Sequence, residues 1–346
     1  MEIKVISGKE KEAWNEWIEK VPGHGTFYTW EYTTLNARTA KAEAELFVYE
    51  KEGIIVVYPY LKNPISRITG NYKRGKNDDW YDITTLDYGG PQENKEGYEN
   101  DFQEEFRRYC KENRIVTEFA RLHPFYGGHH YKNEAQYKKN VYYINLKDQI
   151  EDIYKNLKKS NRNSITKAKK EGIGIIRTTN LSDIKNFYEM YKRTMEKKRA
   201  SDFYYYSEKY FTSLIGMLPK NVQLFLAYKN KEPIAGALFM SEKDIIHYYL
   251  SGRDIKNTIN GVMNLLIWEA IQWAKIEGYS IFNLGGGYEP NDSLARFKSS
   301  FTKMFTSFKR YTYIHNKDKY EELKEWWKEH KKNGTESEEY FPVYRR

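Results

Sequence analysis

Apolar positions in this chain recur at two spacings, and each change of spacing marks a new element. The clearest stretch runs from 245 to 301. Residues 245–250, rich in β-branched and aromatic side chains, read as a buried strand, and Gly252, Asn257, Asn260 and Gly261 read as a loop. Met263, Leu266, Ile267, Ala270, Ile271 and Ala274 then recur at helical spacing until Gly278 supplies a stop. Residues 279–284 read as a second strand ending in Gly285, Gly286 and Gly287. Strand, loop, helix and parallel strand make one right-handed crossover unit. The start of its helix, at Gly261 to Asn264, either offers unpaired N–H groups to an anion or simply joins two elements.

The remaining pattern fills in around this unit. It predicts a helix over 13–21 with Trp14, Trp17 and Ile18 on one side, broken by Pro22-Gly23-His24-Gly25, and a second short helix entered through 26–32. A hairpin of 45–49 with 54–61 turns across Lys51-Glu52-Gly53. A helix over 98–113 and a strand over 116–122 follow. One basic helix is expected over 148–171, with Lys155, Lys158, Lys159, Arg162, Lys167, Lys169 and Lys170 around an apolar stripe of Ile153, Leu157, Ile165 and Ala168. Its charged face is either solvated or a contact for phosphate or tRNA. Beyond it come a helix over 181–199, a hairpin of 222–229 with 233–240, a strand over 305–315 and a helix over 319–332. The basic helix opens a second domain, so the expected division is 1–147, completed by 318–346, and 148–317.

Composition narrows the picture. The 346 residues suffice for two domains, and 40% hydrophobic content indicates a folded chain. A net charge of +9 favours a polyanionic partner without naming it. The 32 tyrosines offer ring-lined surfaces for a sugar or base, or simply populate strands. Cys110 is the only cysteine, which rules out an intrachain disulfide and a cysteine-based metal site. His123, His129 and His130 lie close together but lack a carboxylate at ligand spacing, so no metal is expected. Met1-Glu2-Ile3-Lys4 leads into charged sequence, so no signal peptide is expected, and no apolar run reaches bilayer length. A soluble cytoplasmic protein is expected, with room for loose attachment to the inner membrane face.

Several motifs together carry a resemblance. GYSIFNLGGG followed by LARFKSSF resembles the C-terminal signature of the Fem family of peptidyltransferases, which are built on the GNAT acyltransferase fold. Asp87-Tyr88-Gly89-Gly90-Pro91 and Phe119-Ala120-Arg121-Leu122-His123-Pro124 resemble a branch of that family associated with surface-polysaccharide synthesis, and LKKSNRNSITKAKKEGIGI resembles the helix that opens its second domain. The resemblance implies an α/β fold of two tandem GNAT-like domains with mixed central sheets, the catalytic cleft belonging to the second. It implies an N-acyltransferase with an aminoacyl-tRNA donor, and as acceptor an amine on a nucleotide- or lipid-linked envelope precursor. No cofactor is then required. The rival is an acyl-CoA donor such as acetyl-CoA acting on an amino-sugar, and a third reading is a non-catalytic nucleic-acid or glycan binder.

The chain lacks G-x-S-x-G, Walker and H-E-x-x-H motifs. An activated ester or thioester and a free amine need only positioning and oxyanion stabilisation. By resemblance Lys298 is the oxyanion donor, Arg296 contacts phosphate, Phe297 lines the substrate site and the Gly285, Gly286, Gly287 backbone shapes the acyl channel. Asp292 or Glu289 is available to take the amine proton, as is water. Lys197, Arg199 and Tyr204 fall in the segment similar to the family's acceptor pocket, where the usual Thr-x-x-Arg reads Thr194-x-x-Lys197. Tyr249 is assigned to the substrate, and Gly261 and Asn264 to the donor's anion. The loop before Gly261 departs from the glycine-rich pattern of CoA-binding GNAT proteins, which counts against CoA.

Overall fold

The computed structural model describes residues 1–346 apart from 23, 70–78, 86, 96–98, 127–130, 132–135, 256–258, 331–339 and 346. Gly23, Tyr98, His129, His130, Asn257, the end of the helix expected to 332, and Glu338 and Glu339 therefore lie outside the described residues. The chain forms two compact units, Met1–Lys138 with Phe308–Arg346, and Lys139–Ser307. The division runs at 138/139 and 307/308, where the sequence placed it at 147/148 and 317/318. The strand around Val141–Asn145 pairs within the second unit, which pulls that boundary upstream.

The first unit runs β1 (Glu2–Ser7), α1 (Lys11–Glu19), α2 (Trp30–Ala40), β2 (Glu43–Lys51), β3 (Ile54–Pro64), α3 (Ser66–Thr69), β4 (Tyr81–Thr84), β5 (Gln92–Glu93), α4 (Glu99–Glu112) and β6 (Ile115–Leu122). After the second unit the chain adds β13 (Phe305–Ile314) and α11 (Lys317–His330). Its sheet has the order β1-β2-β3-β4-β6-β13, with β5 also on β3. The hairpin of β2 and β3 turns on Glu52 and Gly53, both at positive φ, the tight turn that matches the twist of paired strands. α4 lays Phe102, Phe106 and Cys110 onto Phe47, Tyr49, Val56 and Tyr58 of this sheet. Cys110 is fully buried there, and burial raises its thiol pKa well above the ordinary value.

The second unit comprises β7 (Gln136–Asn145), α5 (Ile150–Asn156), α6 (Lys159–Lys170), β8 (Gly174–Thr178), α7 (Leu181–Lys198), α8 (Glu208–Met217), β9 (Val222–Lys229), β10 (Glu232–Glu242), β11 (Ile245–Arg253), α9 (Val262–Ile276), β12 (Ile281–Gly285) and α10 (Ser293–Lys298). Its sheet has the order β7-β12-β11-β10-β9-β8. Every neighbouring pair is antiparallel except β11 with β12, the two strands that α9 connects. α9 buries Leu265, Leu266, Ile267, Ala270, Ile271 and Ala274 against this sheet, and Phe225, Phe239, Phe282 and Phe301 complete the core.

The single basic helix expected over 148–171 is instead two helices. Leu157 and Lys158 are extended, with ψ of 143° and 144°. Neither glycine nor proline causes the break. The Arg162 side chain donates to the carbonyls of Lys155 and Leu157, and the Lys158 N–H donates to Ser300 O at 2.8 Å, so the polar groups freed by the break have partners. No helix among the described residues is long and apolar enough to cross a membrane.

Candidate functional site

The second unit's parallel strand pair opens into a fork. β11 and β12 pair only over Ile245–His247 with Ile281–Asn283. Beyond that point β12 continues on its other side with β7, while β11 continues with β10. At the fork His247 and Asn283 are both buried, and their side chains meet at 2.9 Å. The Asn283 carbonyl oxygen accepts from the Gly285 N–H at 2.8 Å, so its NH2 faces His247 and the imidazole Nδ1 accepts. Burial pushes the His247 pKa down to about 3, which keeps the ring neutral.

Lys298 stands beside this fork at the end of α10. Asp292 fixes that helix: one carboxylate oxygen accepts from Ala295 N at 2.6 Å, and the other from Tyr288 N at 2.8 Å and Glu289 N at 3.2 Å. Burial alone would raise the Asp292 pKa, but the backbone N–H donors together hold it below the usual value. The Lys298 ammonium, 8% exposed, donates to Gly286 O at 2.8 Å and lies 5.8 Å from the centroid of the Tyr248 ring. Its pKa is lowered to about 7, mainly by burial and then by repulsion from Lys139, with Asp292 opposing and Lys198 adding to the decrease.

Each glycine of the triplet has its own steric reason. Gly285 has φ +74°, and a Cβ there would lie 2.9 Å from the Lys298 ammonium. A Cβ at Gly286 would meet Asn140 O at 2.5 Å, and one at Gly287 would meet the Asp292 carboxylate at 2.3 Å. The Gly287 carbonyl accepts from the Lys139 ammonium at 2.5 Å. The triplet thus makes room for a lysine, a neighbouring strand and a helix cap.

A cavity of about 640 Å³ adjoins the fork, bounded by α6, α7, β11, the start of α9 and α10. Tyr248, Phe297, Gly261 and Asn264 line it, together with the cations Lys167, Lys198 and Arg253. Much of the Lys198 side chain is exposed, yet its pKa is lowered, by desolvation first and by the Arg253 guanidinium second. The Tyr248 hydroxyl donates to Ser251 Oγ at 2.6 Å, and burial raises its pKa to about 12.

Of the residues singled out from sequence, Phe297, Gly261, Asn264 and Lys167 line the cavity, and Lys298 stands over Tyr248 against Gly285 and Gly286. Lys197, Arg199, Tyr204, Tyr249 and Arg296 lie elsewhere. Tyr249 is the extra residue of a bulge, since Tyr248 pairs with Phe239 and Leu250 with Leu238. Its hydroxyl meets that of Tyr210 at 3.2 Å. Lys197 and Arg199 are exposed on either side of the wall residue Lys198, and Arg199 ends α7 in the left-handed conformation. The Tyr204 carbonyl accepts from Tyr191 OH at 2.7 Å, and its ring packs edge-on to Phe203. Arg296 is exposed and outside the cavity wall. Sequence reasoning missed Arg253 and Tyr248, and it read Lys198 only as part of Lys197-Lys198-Arg199, a run of cations suited to a pyrophosphate-bearing group.

The start of α9 is closely packed. Gly261 has φ +89°, and a Cβ there would sit 2.2 Å from Ser164 O on α6. Asn264 donates to Asn161 at 2.9 Å, and Asn161 donates to Ser300 at 2.9 Å.

Residues 155–299 match the family described as an acetyltransferase (GNAT) domain, so the second unit is a GNAT acyltransferase domain. No curated protein matches the chain by sequence. Among solved structures, FemX superposes with a TM-score of 0.68 at 13% identity, covering 93% of this chain and 99% of that one. L-PGS from Bacillus licheniformis gives 0.57 at 14% identity, covering 88% and 92%. A tandem GNAT protein from the clavulanic acid biosynthesis pathway gives 0.50 at 8% identity, covering 91% and 99%. The expected α/β fold of tandem GNAT-like domains is the fold observed.

Proposed function

We propose that the chain transfers an aminoacyl group from aminoacyl-tRNA to an amine of a cell-envelope precursor. The observation that carries this reading is the buried Lys298 ammonium, set over Tyr248 at the fork of β11 and β12 beside a cation-lined cavity. The donor's terminal nucleotide would lie in that cavity with its phosphates near Lys167, Lys198 and Arg253, and its ester carbonyl would point into the fork. Attack by the acceptor amine forms the C–N bond and places negative charge on the carbonyl oxygen. A preorganised, desolvated ammonium stabilises that charge. Collapse breaks the ester C–O bond, and the amine proton leaves to the departing ribose oxygen, through water where needed. Asp292 is a poor base, because its carboxylate accepts three backbone hydrogen bonds and its pKa is lowered.

Acyl-CoA as donor is the second reading, and the loop before Gly261 counts against it, because it departs from the glycine-rich pattern of CoA-binding GNAT proteins. The start of α9 itself opens on the cavity through Gly261, Val262, Met263 and Asn264, so binding has to decide between the donors. Binding of acetyl-CoA and of a mixed aminoacyl-tRNA pool, each measured at low and moderate salt, separates the two. Preference for charged over uncharged tRNA with no CoA signal supports aminoacyl transfer. CoA binding that survives moderate salt sinks it, and binding that ignores both the acyl group and Lys298→Ala would favour a non-catalytic binder.

A further inference from the structure

α6 has a second flank, and it lines a separate groove. Asn163, Ser164 and Lys167 face the cavity described above, whereas Ile165, Thr166, Lys169 and Lys170 line an open groove of about 510 Å³ with Tyr154 of α5 and Trp268 of α9. The floor is apolar and aromatic, with the Tyr154 and Trp268 rings 5.0 Å apart. Its rim is cationic. Lys169 is paired with Glu269 at 3.1 Å and Lys155 with Asp152 at 3.3 Å, while Arg162 is occupied by the carbonyls at the α5–α6 break. Lys159 and Lys170 are exposed and make no ion pair among the described residues.

We propose that this groove docks the second unit onto an anionic phospholipid surface, with acyl carbons against Tyr154 and the edge of Trp268, one lipid phosphate at Lys170 on the rim and a second at Lys159, at the opposite end of α6. Clustered lysines are attracted to anionic leaflets, and Tyr and Trp are the side chains that favour the headgroup level. An RNA partner fits the rim but not the floor. Trp268 is only 5% exposed, so it cannot stack on a base, whereas a flexible acyl chain can lie along its edge. The proposal stands independently of the transferase reading.

The full chain is mixed with vesicles of phosphatidylcholine alone or of phosphatidylcholine with phosphatidylglycerol, and the bound fraction is measured by flotation. Binding is expected only to the anionic vesicles. Lys159→Ala with Lys170→Ala should weaken it about thirtyfold, from the attraction of two cations near such a surface. A brominated acyl chain should quench wild-type fluorescence more than that of Trp268→Phe, which keeps a ring in the core. Equal binding to both vesicles, unchanged affinity of the double variant or equal quenching in the two proteins would overturn the proposal. So would a double variant that loses affinity for a tRNA pool while its vesicle binding stays intact.

Discussion

Among the described residues each unit contains one parallel strand pair joined by a crossover helix, and the two pairs end differently. In the first unit β4 and β6 pair over Tyr81–Thr84 and Ile115–Phe119 and then stay joined. Thr85 N donates to Phe119 O at 3.1 Å, Gly89 N donates to Arg121 O at 2.8 Å, and Gly89 bridges to Leu122. The gap left beside Thr85 and Gly89 holds about 20 Å³. In the second unit the pair stops at His247 and Asn283, and a cavity of about 640 Å³ adjoins the fork. Among the described residues, the larger cavity adjoins the parallel pair whose ladder is released. The first unit's buried charges are instead bound within it: Glu118 accepts from Tyr58 and Tyr131 and faces His315 at 3.2 Å, and Asp82 accepts from Thr117, Tyr344 and Arg345.

The sharpest way to break this contrast is to remove the Lys298 ammonium from the fork. Lys298→Ala should lower the transfer rate about 10²–10³-fold, the range for losing one preorganised oxyanion donor. Single-turnover rates with saturating donor would show it, and a loss confined to KM would assign Lys298 to binding. Glu118→Ala in the first unit should do the opposite. It strips the acceptor from two buried tyrosine hydroxyls and from His315, which costs about 3–5 kcal/mol of stability. The variant's turnover below its melting temperature should stay near wild type. Loss of turnover in a still-folded Glu118→Ala protein would mean that the first unit takes part in the chemistry.

Much of the fold was legible because local rules set it. The two hairpin turns expected from the sequence, Glu52-Gly53 and Asn230-Lys231, each place two residues at positive φ, and α9 buries the stripe that its spacing announces. The site was less legible, because features without a local signature set it. Alternation along β11 cannot reveal a bulge, so Tyr249 was assigned to the substrate where Tyr248 lines the cavity. Within Lys197-Lys198-Arg199, successive helical residues point about 100° apart, and only the packed structure shows that the middle one reaches the wall. The break at Leu157 depends on the Arg162 guanidinium reaching back to two carbonyls, a contact that composition does not announce. β1, β7 and α8 are not among the elements expected from sequence, although Ile3 and Val5 alternate with charged residues in β1 and Tyr210, Phe211, Leu214 and Ile215 recur at helical spacing in α8.

The fork should also carry a measurable electrostatic cost. The Lys298 pKa of about 7 in the folded chain lies below its unfolded value, so between about pH 7 and 10.5 the unfolded state binds more protons. Stability should therefore rise with pH across that window, with the full penalty present below about pH 7. Lys298→Met removes the burial penalty and should raise Tm at pH 6 while flattening this rise. A parallel pH dependence of Tm in the two proteins would show that the ammonium is not desolvated as its surroundings indicate.

The smallest expected effect separates the cap from the base. Asn keeps the cap on Ala295 through its one carbonyl oxygen and gives up the bonds from Tyr288 and Glu289, so Asp292→Asn should preserve α10 and the position of Lys298 while loosening the 288–289 turn. If Asp292 took the amine proton, the rate would fall about 10²–10⁴-fold at every pH. If the carboxylate only caps the helix and supports the ammonium, the change is below about tenfold and depends on pH. The Asp292 carboxylate favours the Lys298 ammonium, so neutralising it lowers the lysine's pKa further. The active cation is then lost at lower pH, the descending limb of the rate profile moves to the acid side of 7, and activity recovers toward wild type as the pH is lowered. A rate loss without that displacement would return the carboxylate to the chemistry, and the fork would then act through two groups rather than one.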